Sequence, residues 1–290
     1  MGAYNAAVAA AARAGAWRLA DRREAARGPR LIRAVAYHGT PAAHRDALAR
    51  QLDYLAARYT NVGEEELLAF MRGEPRAEPG LIVSFDDGLE DNYRVAAPLL
   101  EERGLRGWFF VVTGLLDCPE DEQRRFCAEH DVIAGPDAGR LGMGWDEARD
   151  LVARGHVLGC HGAGHLRYKA NVADGAIRAD LAEARGRMKA ELGSYPRSFA
   201  WVGGEPDTYK PASAALAAEL GFSLLFTTLS APALGAPPDD APAPFLLHRT
   251  VLDADMDYRA AALKIGLVSD LAHANTRRKL FEAEKSSWSQ

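Results

Sequence analysis

The sequence predicts an α/β fold built around a closed or nearly closed parallel β-barrel. The 290 residues contain seven short apolar segments rich in strand-forming residues, and most of these precede a helical segment. Such strict alternation is typical of a parallel sheet with helical crossovers. No G-x-G-x-x-G motif opens a helix after the first strand, which disfavours a dinucleotide-binding sheet. The sequence contains no short internal repeat of the kind that would indicate a solenoid.

The predicted strands are runs of β-branched, aromatic and aliphatic residues bounded by turn residues. In chain order they are Leu31–Tyr37, Leu81–Phe85, Gly107–Thr113, His156–Cys160, Ser198–Val202, Phe222–Thr228 and Phe245–Val251. The second strand ends abruptly in Asp86, Asp87 and Gly88. Gly88 permits a turn there, because glycine tolerates a positive φ.

The predicted helices carry apolar residues at helical spacing, and several end at a glycine. They are Pro41–Arg58, Glu64–Arg72, Asp91–Arg103, Trp145–Arg154, Asp174–Leu192, Pro211–Leu220 and Tyr258–Leu271. Leu115–Gly144 has no clear period, and we expect a functional loop there. Pro237–Pro244 is predicted to be a proline-rich loop.

We expect three parts: an N-terminal helical extension (1–30), a barrel domain (31–255) and a C-terminal helix with a charged tail (256–290). A net charge of −5 disfavours nucleic-acid and anionic-membrane partners. The three cysteines match neither a disulfide framework nor a zinc knuckle. The N-terminus lacks a basic segment before its apolar run, and no stretch has the length of a membrane span, so we expect a cytoplasmic protein. The sequence does not fix the oligomeric state.

Polar residues follow several predicted strands. Asp86 and Asp87 end the second strand, and His161 and His165 follow the fourth in G-C-H-G-A-G-H. In a parallel barrel these ends meet at one rim. Two imidazoles and one carboxylate suit zinc or a similar divalent ion, and three ligands leave a position open for water. Taken separately, each feature has a simpler interpretation: an aspartate that caps the helix near Asp91, and ordinary loop histidines.

These motifs together resemble the polysaccharide deacetylase family, carbohydrate esterase family four, with its NodB-homology domain. F-D-D-G is similar to the family's first motif and H-G-A-G-H to its second, and G-W-F-F-V-V-T lies between them. The resemblance covers roughly residues 31–255. It implies a distorted (β/α)7 barrel that uses a metal ion to hydrolyse an N- or O-acyl group, typically acetyl on an amino sugar.

The resemblance also implies roles for individual residues. Asp87, His161 and His165 would bind one divalent ion, Zn²⁺ by preference, with Co²⁺, Mn²⁺, Ni²⁺ and Fe²⁺ as alternatives. Asp86 would be the general base. His248, in L-L-H on the last strand, would be the general acid that protonates the leaving amine.

The third motif of the family is replaced. Its arginine and prolines are absent from the segment F-A-W-V-G-G, residues 199–204. Arg249 is a candidate for the missing positive charge. Neighbours on a strand point to opposite faces, so we expect His248 to point inward and Arg249 to contribute only if the backbone turns. The expected substrate contacts are His38, Trp201, Gly203, Glu205 and Arg249.

The predicted function is therefore a metal-dependent deacylase for an amino sugar or a small sugar-containing metabolite, with a small molecule or an oligosaccharide as its partner. Two alternatives stay open: hydrolysis of another amide, such as a formamide or cyclic imide, and a carbohydrate-binding protein that has lost catalysis. The presence of both aspartates and of the histidines argues against the second alternative.

Overall fold

The computed structural model describes residues 2–133, 139–234 and 244–279. Its sheet contains a closed ring of seven parallel strands. The ring strands are β1 (Leu31–Tyr37), β3 (Gly80–Phe85), β4 (Gly107–Val111), β5 (Val157–Cys160), β6 (Ser198–Ala200), β7 (Leu224–Thr227) and β9 (Phe245–Val251). Pairing of β1 with both β3 and β9 closes the ring. Two-residue strands, β2 (Thr60–Asn61) and β8 (Ala233–Leu234), pair with β3 and β1. The predicted barrel is confirmed.

Helices surround the ring and extend the chain at both ends. They are α1 (Gly2–Arg13), α2 (Trp17–Ala25), α3 (Arg45–Ala56), α4 (Glu64–Met71), α5 (Ala97–Glu101), α6 (Thr113–Asp117), α7 (Gln123–Glu129), α8 (Trp145–Ala153), α9 (Asp174–Leu192), α10 (Ala212–Glu219), α11 (Tyr258–Leu263) and α12 (Ser269–Ala272). Single 3₁₀ turns occupy Gly28–Arg30 and Ala42–His44, and π-helical turns occupy Asn92–Ala96 and Lys264–Val268. Among the helices described, none combines the length and apolar character needed to cross a bilayer.

The strands alternate between two apolar layers, as the period of two requires. Ile32, Ile82 and Phe110 belong to the cluster that fills the ring. Val35, Val83 and Phe109 belong to the cluster between the ring and the helices. This alternation decides which polar residues at the strand ends face the interior and which face the helical layer.

The terminal helices pack on each other outside β1. Val8, Ala12 and Ala20 share a buried cluster with Ala260 and Leu263. Beneath them Arg33 pairs with Glu24 at 2.7 Å and with Asp270 at 2.9 Å, all three buried. The division into three parts stays a prediction, and the charged tail beyond residue 279 lies outside the described residues, as does most of Pro237–Pro244.

Two predicted segments differ in detail. The helix expected over Asp91–Arg103 is a π-helical turn, Asn92–Ala96, followed by the short α5. Pro98 lacks an amide hydrogen, so the regular ladder cannot run through it. Leu115–Gly144 contains the rest of α6 and all of α7. α7 buries only Gln123 and Cys127, which is too little to give a periodic signal.

Candidate metal centre

The turn after β3 directs the two aspartates. Asp87 has φ 75° and Gly88 has φ 77°, so two consecutive residues adopt the left-handed region. The first costs free energy in a residue other than glycine, on the order of 1–3 kcal/mol, and such strain collects at functional sites. Both carboxylates are buried. The turn therefore holds Asp87 in a conformation that the surrounding packing must impose.

His161 and His165 converge on one oxygen of Asp87. Their Nε2 atoms lie 3.5 Å and 3.2 Å from Asp87 Oδ1. One ligand atom from each of the three residues falls within 4.8 Å of the others, and all three residues are buried. His165 has φ 52°, a second strained position among the three. The structure thus brings together the three residues that the sequence predicted as metal ligands.

The hydrogen bonds of the two imidazoles decide what can occupy the centre. His161 Nδ1 donates to Ala200 O at 2.8 Å, and His165 Nδ1 donates to His130 O at 2.6 Å, because a carbonyl can only accept. In the neutral rings both Nε2 lone pairs then face Asp87 Oδ1. Within the described residues this oxygen has no hydrogen-bond donor. Three convergent acceptors need a cation between them, so the residues present fit a divalent ion.

The ionisation of Asp87 and His161 agrees with that arrangement. Burial alone would raise the pKa of Asp87, but His165, His38 and His161 lower it to about 2. Burial lowers the pKa of His161 to about 4, despite the nearby carboxylates. At neutral pH this gives an ionised Asp87 and a neutral His161, the forms that coordinate metals. Burial lowers the pKa of His165, but the adjacent Asp87 carboxylate raises it above its usual value. Metal binding at this ring would release that proton.

Asp86 is held by Arg249. The guanidinium contacts both carboxylate oxygens, with Nη1–Oδ1 at 2.6 Å and Nη2–Oδ2 at 2.9 Å. Arg249 is 0% exposed, donates to Ser84 Oγ at 3.1 Å and lies over the Phe110 ring. Burial would raise the pKa of Asp86, but the charge on Arg249 and the nearby histidines keep it below its usual value. Arg249 therefore supplies the positive charge that the third motif lacks.

The expected orientation of the pair His248 and Arg249 is wrong. β9 runs without a bulge, with His248 opposite Thr227 and Arg249 opposite Ala34. Arg249 reaches the interior, so its neighbour His248 points to the outer layer, where its Nδ1 lies 2.7 Å from Thr227 Oγ1. Burial, with Arg277 and His273 nearby, lowers the pKa of His248 to about 3. The His248 ring points away from the site and is neutral at neutral pH, so it is poorly suited to act as a general acid.

The remaining predicted substrate contacts separate into two groups. Trp201 is 1% exposed, stacks on Tyr209 and donates to Ser213 Oγ at 2.9 Å, so it belongs to the core. Gly203 and Glu205 stay at the rim, tied to Thr228 by hydrogen bonds of 2.6 Å and 2.8 Å.

His38 follows β1 at the same rim. It is half-buried, and its charge lowers the pKa of both carboxylates of the candidate site, Asp86 and Asp87. Ile32 and Ala34 of β1 face the interior, and His38 continues that alternation. His38 therefore acts electrostatically on both aspartates, as His161 does.

Sequence reasoning missed the groups that fix the ligands. The carbonyls of Ala200 and His130 orient the two imidazoles, and carbonyl positions carry no residue-type signal. The His130 ring also donates to Gly164 O at 2.6 Å, so the segment after α7 supports the loop that carries His161 and His165. Asp180 of α9 accepts hydrogen bonds from the same loop. An acid at helical spacing within a predicted amphipathic helix gives no sign of such a role.

Comparison with known proteins agrees with the site. The family model described as polysaccharide deacetylase matches residues 73–225, more than half of the chain. This segment contains both aspartates and both histidines of the site. No curated protein matches the chain in sequence.

Several solved structures share the fold. IcaB from Ammonifex degensii is 25% identical, with a TM-score of 0.62 over 82% of this chain and 97% of that chain. The Streptococcus pyogenes deacetylase PplD, in complex with acetate, is 18% identical, with a TM-score of 0.64 over 82% of this chain and 99% of that one. The BpsB deacetylase domain from Bordetella bronchiseptica is 18% identical, with a TM-score of 0.60 over 78% and 97%.

Proposed function

This chain belongs to the polysaccharide deacetylase family, and from that premise we propose that it is a metal-dependent hydrolase that removes an N-acyl group, most simply acetyl, from an amino sugar. One observation carries the proposal. Asp87 Oδ1 is buried with no hydrogen-bond donor among the described residues. It lies between two imidazole nitrogens and beside a second carboxylate that an arginine holds. A metal position at Asp87 and a general base at Asp86 would therefore be adjacent.

Asp87, His161 and His165 would hold the ion. A divalent ion held there would polarise the acyl oxygen and lower the pKa of water, which makes its deprotonation easier. The carbonyl-bound Nδ1 atoms of both histidines keep the Nε2 lone pairs aimed at the centre, so the ligands need little reorganisation.

Asp86 takes a proton from the attacking water. Arg249 occupies both of its oxygens on one side, which keeps the carboxylate ionised and fixes its plane. A paired carboxylate is a weaker base than a free one, but it remains deprotonated whenever substrate binds. The lower basicity of Asp86 is offset by the correct orientation of its carboxylate.

The leaving amine needs a proton, and we assign this role to His38 rather than His248. His38 is half-buried at the rim and electrostatically coupled to both aspartates. His248 points away from them. An imidazole at the mouth of the barrel can exchange protons with solvent and reach a substrate nitrogen.

The experiment is a metal analysis of the purified protein, followed by acetate release from a panel of N-acetylated amino sugars and their oligomers. We expect one divalent ion per chain, with zinc preferred, and activity that a chelator abolishes and metal restores. Metal binding with cleavage only of formamides or cyclic imides would support the other amide hydrolase. Sugar binding without turnover on any member would contradict catalysis.

The comparison of monomers with oligomers in that panel tests the substrate size. We propose a small sugar-containing substrate and a cytoplasmic location. Preference for long oligomers, or recovery of the protein outside the cytoplasm on cell fractionation, would overturn these two points and leave the chemistry intact.

A further inference from the structure

The loop His161–His165, called here the histidine loop, is bound to its surroundings mainly through its backbone. Gly162 O accepts a hydrogen bond from Thr113 N at 3.1 Å, and Ala163 O accepts one from Gly114 N at 2.9 Å. These bonds join the loop to the chain that follows β4. They hold two carbonyls of the loop, and the His161 amide donates to Val111 O at 3.0 Å. The amides of Ala163 and Gly164 need other partners.

Asp180 provides those partners. It lies in the second turn of α9, and its Oδ1 accepts from Ala163 N at 3.2 Å and from Gly164 N at 2.9 Å. Its Oδ2 accepts from the hydroxyl of Tyr168 at 2.7 Å. Burial, together with the charge on Asp180, raises the pKa of Tyr168 well above its usual value, so the phenol remains a donor. One carboxylate therefore collects three donors around the histidine loop.

The loop is also shaped to fit this carboxylate. Gly162 has φ 86°, and a Cβ built there would lie 2.6 Å from Asp180 Oδ2. His165, at the other end, holds φ 52°. A non-glycine residue keeps such a conformation only if neighbouring groups impose it. The two amides held by Asp180 directly precede this residue.

We propose that Asp180 is a positioning residue, which holds the histidine loop in the one conformation that aims the Nε2 atoms of His161 and His165 at Asp87. The inference rests on the proposed metal-dependent function, but it concerns a residue that touches neither metal nor substrate. In this role the Asp180 carboxylate sets the geometry of the metal ligands and does not serve to stabilise the helix. α9 is 19 residues long and packs through Ile177, Leu181, Ala184 and Met188, so it does not depend on Asp180 to fold.

The test compares three variants of the full chain. Asp180→Ala removes all three acceptor contacts. Asp180→Asn keeps an oxygen for the two amides and can donate to the Tyr168 hydroxyl. Glu183→Ala is the matched control, since Glu183 is an exposed acid on the same helix. Zinc affinity is measured by competition with a chromogenic chelator, and kcat and KM by acetate release.

We expect Asp180→Ala to weaken zinc binding by about 10- to 100-fold, the usual effect of losing a group that orients a ligand. At saturating zinc KM should change little. Asp180→Asn should recover most of the affinity, and Glu183→Ala should match the wild type. Zinc affinity of Asp180→Ala equal to that of the wild type overturns the proposal, as does an equal loss in Asp180→Ala and Asp180→Asn.

Hydrogen exchange on the metal-free protein gives a readout that needs no metal. In Asp180→Ala the amides of Ala163 and Gly164 should lose protection, while those of Thr113 and Gly114 keep it. Unchanged protection at 163 and 164 contradicts the proposal. If the wild type binds no zinc, the proposed function fails, and this exchange pattern still decides whether Asp180 orders the loop.

A fourth variant covers failure of Asp180→Ala to fold. Tyr168→Phe removes only the hydroxyl that holds Asp180 Oδ2 and leaves the ring in its stack on Phe199. Zinc affinity should then fall by a smaller factor than in Asp180→Ala. A wild-type zinc affinity in this variant, together with unchanged protection of the amides at 163 and 164, would refute positioning by this carboxylate.

Discussion

Replacement of Arg249 by methionine is the most informative perturbation of the site. The substitution keeps an unbranched chain in the barrel but removes the guanidinium, which contacts both oxygens of Asp86 at 2.6 Å and 2.9 Å. Asp86 would remain buried without its cation. Removing one partner of a buried ion pair costs about 3–5 kcal/mol, against a total stability of about 5–15 kcal/mol for a typical domain.

The pKa of Asp86 should move as well. In the wild type, burial raises this pKa and the charge on Arg249 lowers it to below the usual value. An adjacent arginine lowers a carboxyl pKa by about 1–3 units, so its loss removes the main charge that opposes burial and should raise the pKa of Asp86 by about that much. A base works only when ionised. The acid limb of kcat/KM should therefore shift to higher pH by about 1–3 units.

The sign of the stability change follows from the same linkage. A carboxyl whose pKa is lowered in the folded state stabilises the protein above its unfolded pKa, about 3.9, and this contribution is lost as pH falls through the folded value. The difference in free energy of unfolding between wild type and Arg249→Met should thus be largest near neutral pH and should shrink on acidification.

The assays are a pH profile of kcat/KM and urea unfolding at neutral and acidic pH. Arg154→Met is the matched control, because Arg154 pairs with Glu101 and Asp150 at a partly exposed position; it should cost at most about 1 kcal/mol and leave the profile in place. Arg249→Lys keeps a charge but not two parallel contacts, and should give a smaller shift. A folded, active Arg249→Met with the wild-type acid limb would refute the role given to this arginine.

The remaining predictions concern the metal, the acid and a core residue. His161→Ala should lose the ion and all activity, whereas Asp86→Asn should keep the ion and lose turnover by about 10²-fold or more, as metal analysis and kcat will show; loss of metal in Asp86→Asn would mean that the aspartates exchange roles. His38→Ala should lower kcat for an amide about 10²-fold yet barely affect an acyl substrate whose leaving group needs no proton, while His248→Ala should stay close to wild type; the reverse pattern would return the acid role to His248. Trp201→Phe loses the hydrogen bond to Ser213 and should lower the free energy of unfolding by about 1 kcal/mol in urea titration; a raised KM would instead show substrate contact.

The local elements followed directly from sequence patterns. β1 and β9 occupy the predicted residues, Leu31–Tyr37 and Phe245–Val251, and so does α9. Continuous apolar runs bounded by turn residues define a buried strand whatever its partners are. The turn at Asp87 and Gly88 was also predictable, because the strand must end where two carboxylates begin.

The sequence made Arg249 a candidate for the charge beside Asp86 but could not decide the pairing, since 163 residues separate the two in the chain. The sequence offered two neighbouring candidates on β9, and alternation guaranteed that only one faces the interior. Which one does so depends on the register of β9 against β1 and β7. A shift of one residue exchanges the two side chains, and no local pattern records that shift.

The sequence by itself determined the strand and helix segments, the alternation that leads to a barrel, and the residue types able to bind a divalent ion, because these depend on spacing and chemistry along the chain. Only the tertiary structure decided that Arg249 rather than His248 faces Asp86, that Trp201 is buried in the core, and that His130 and Asp180 hold the histidine loop. Such outcomes depend on strand register and on which backbone amides and carbonyls lie within hydrogen-bonding distance, and distant segments of the chain set both only when the barrel closes.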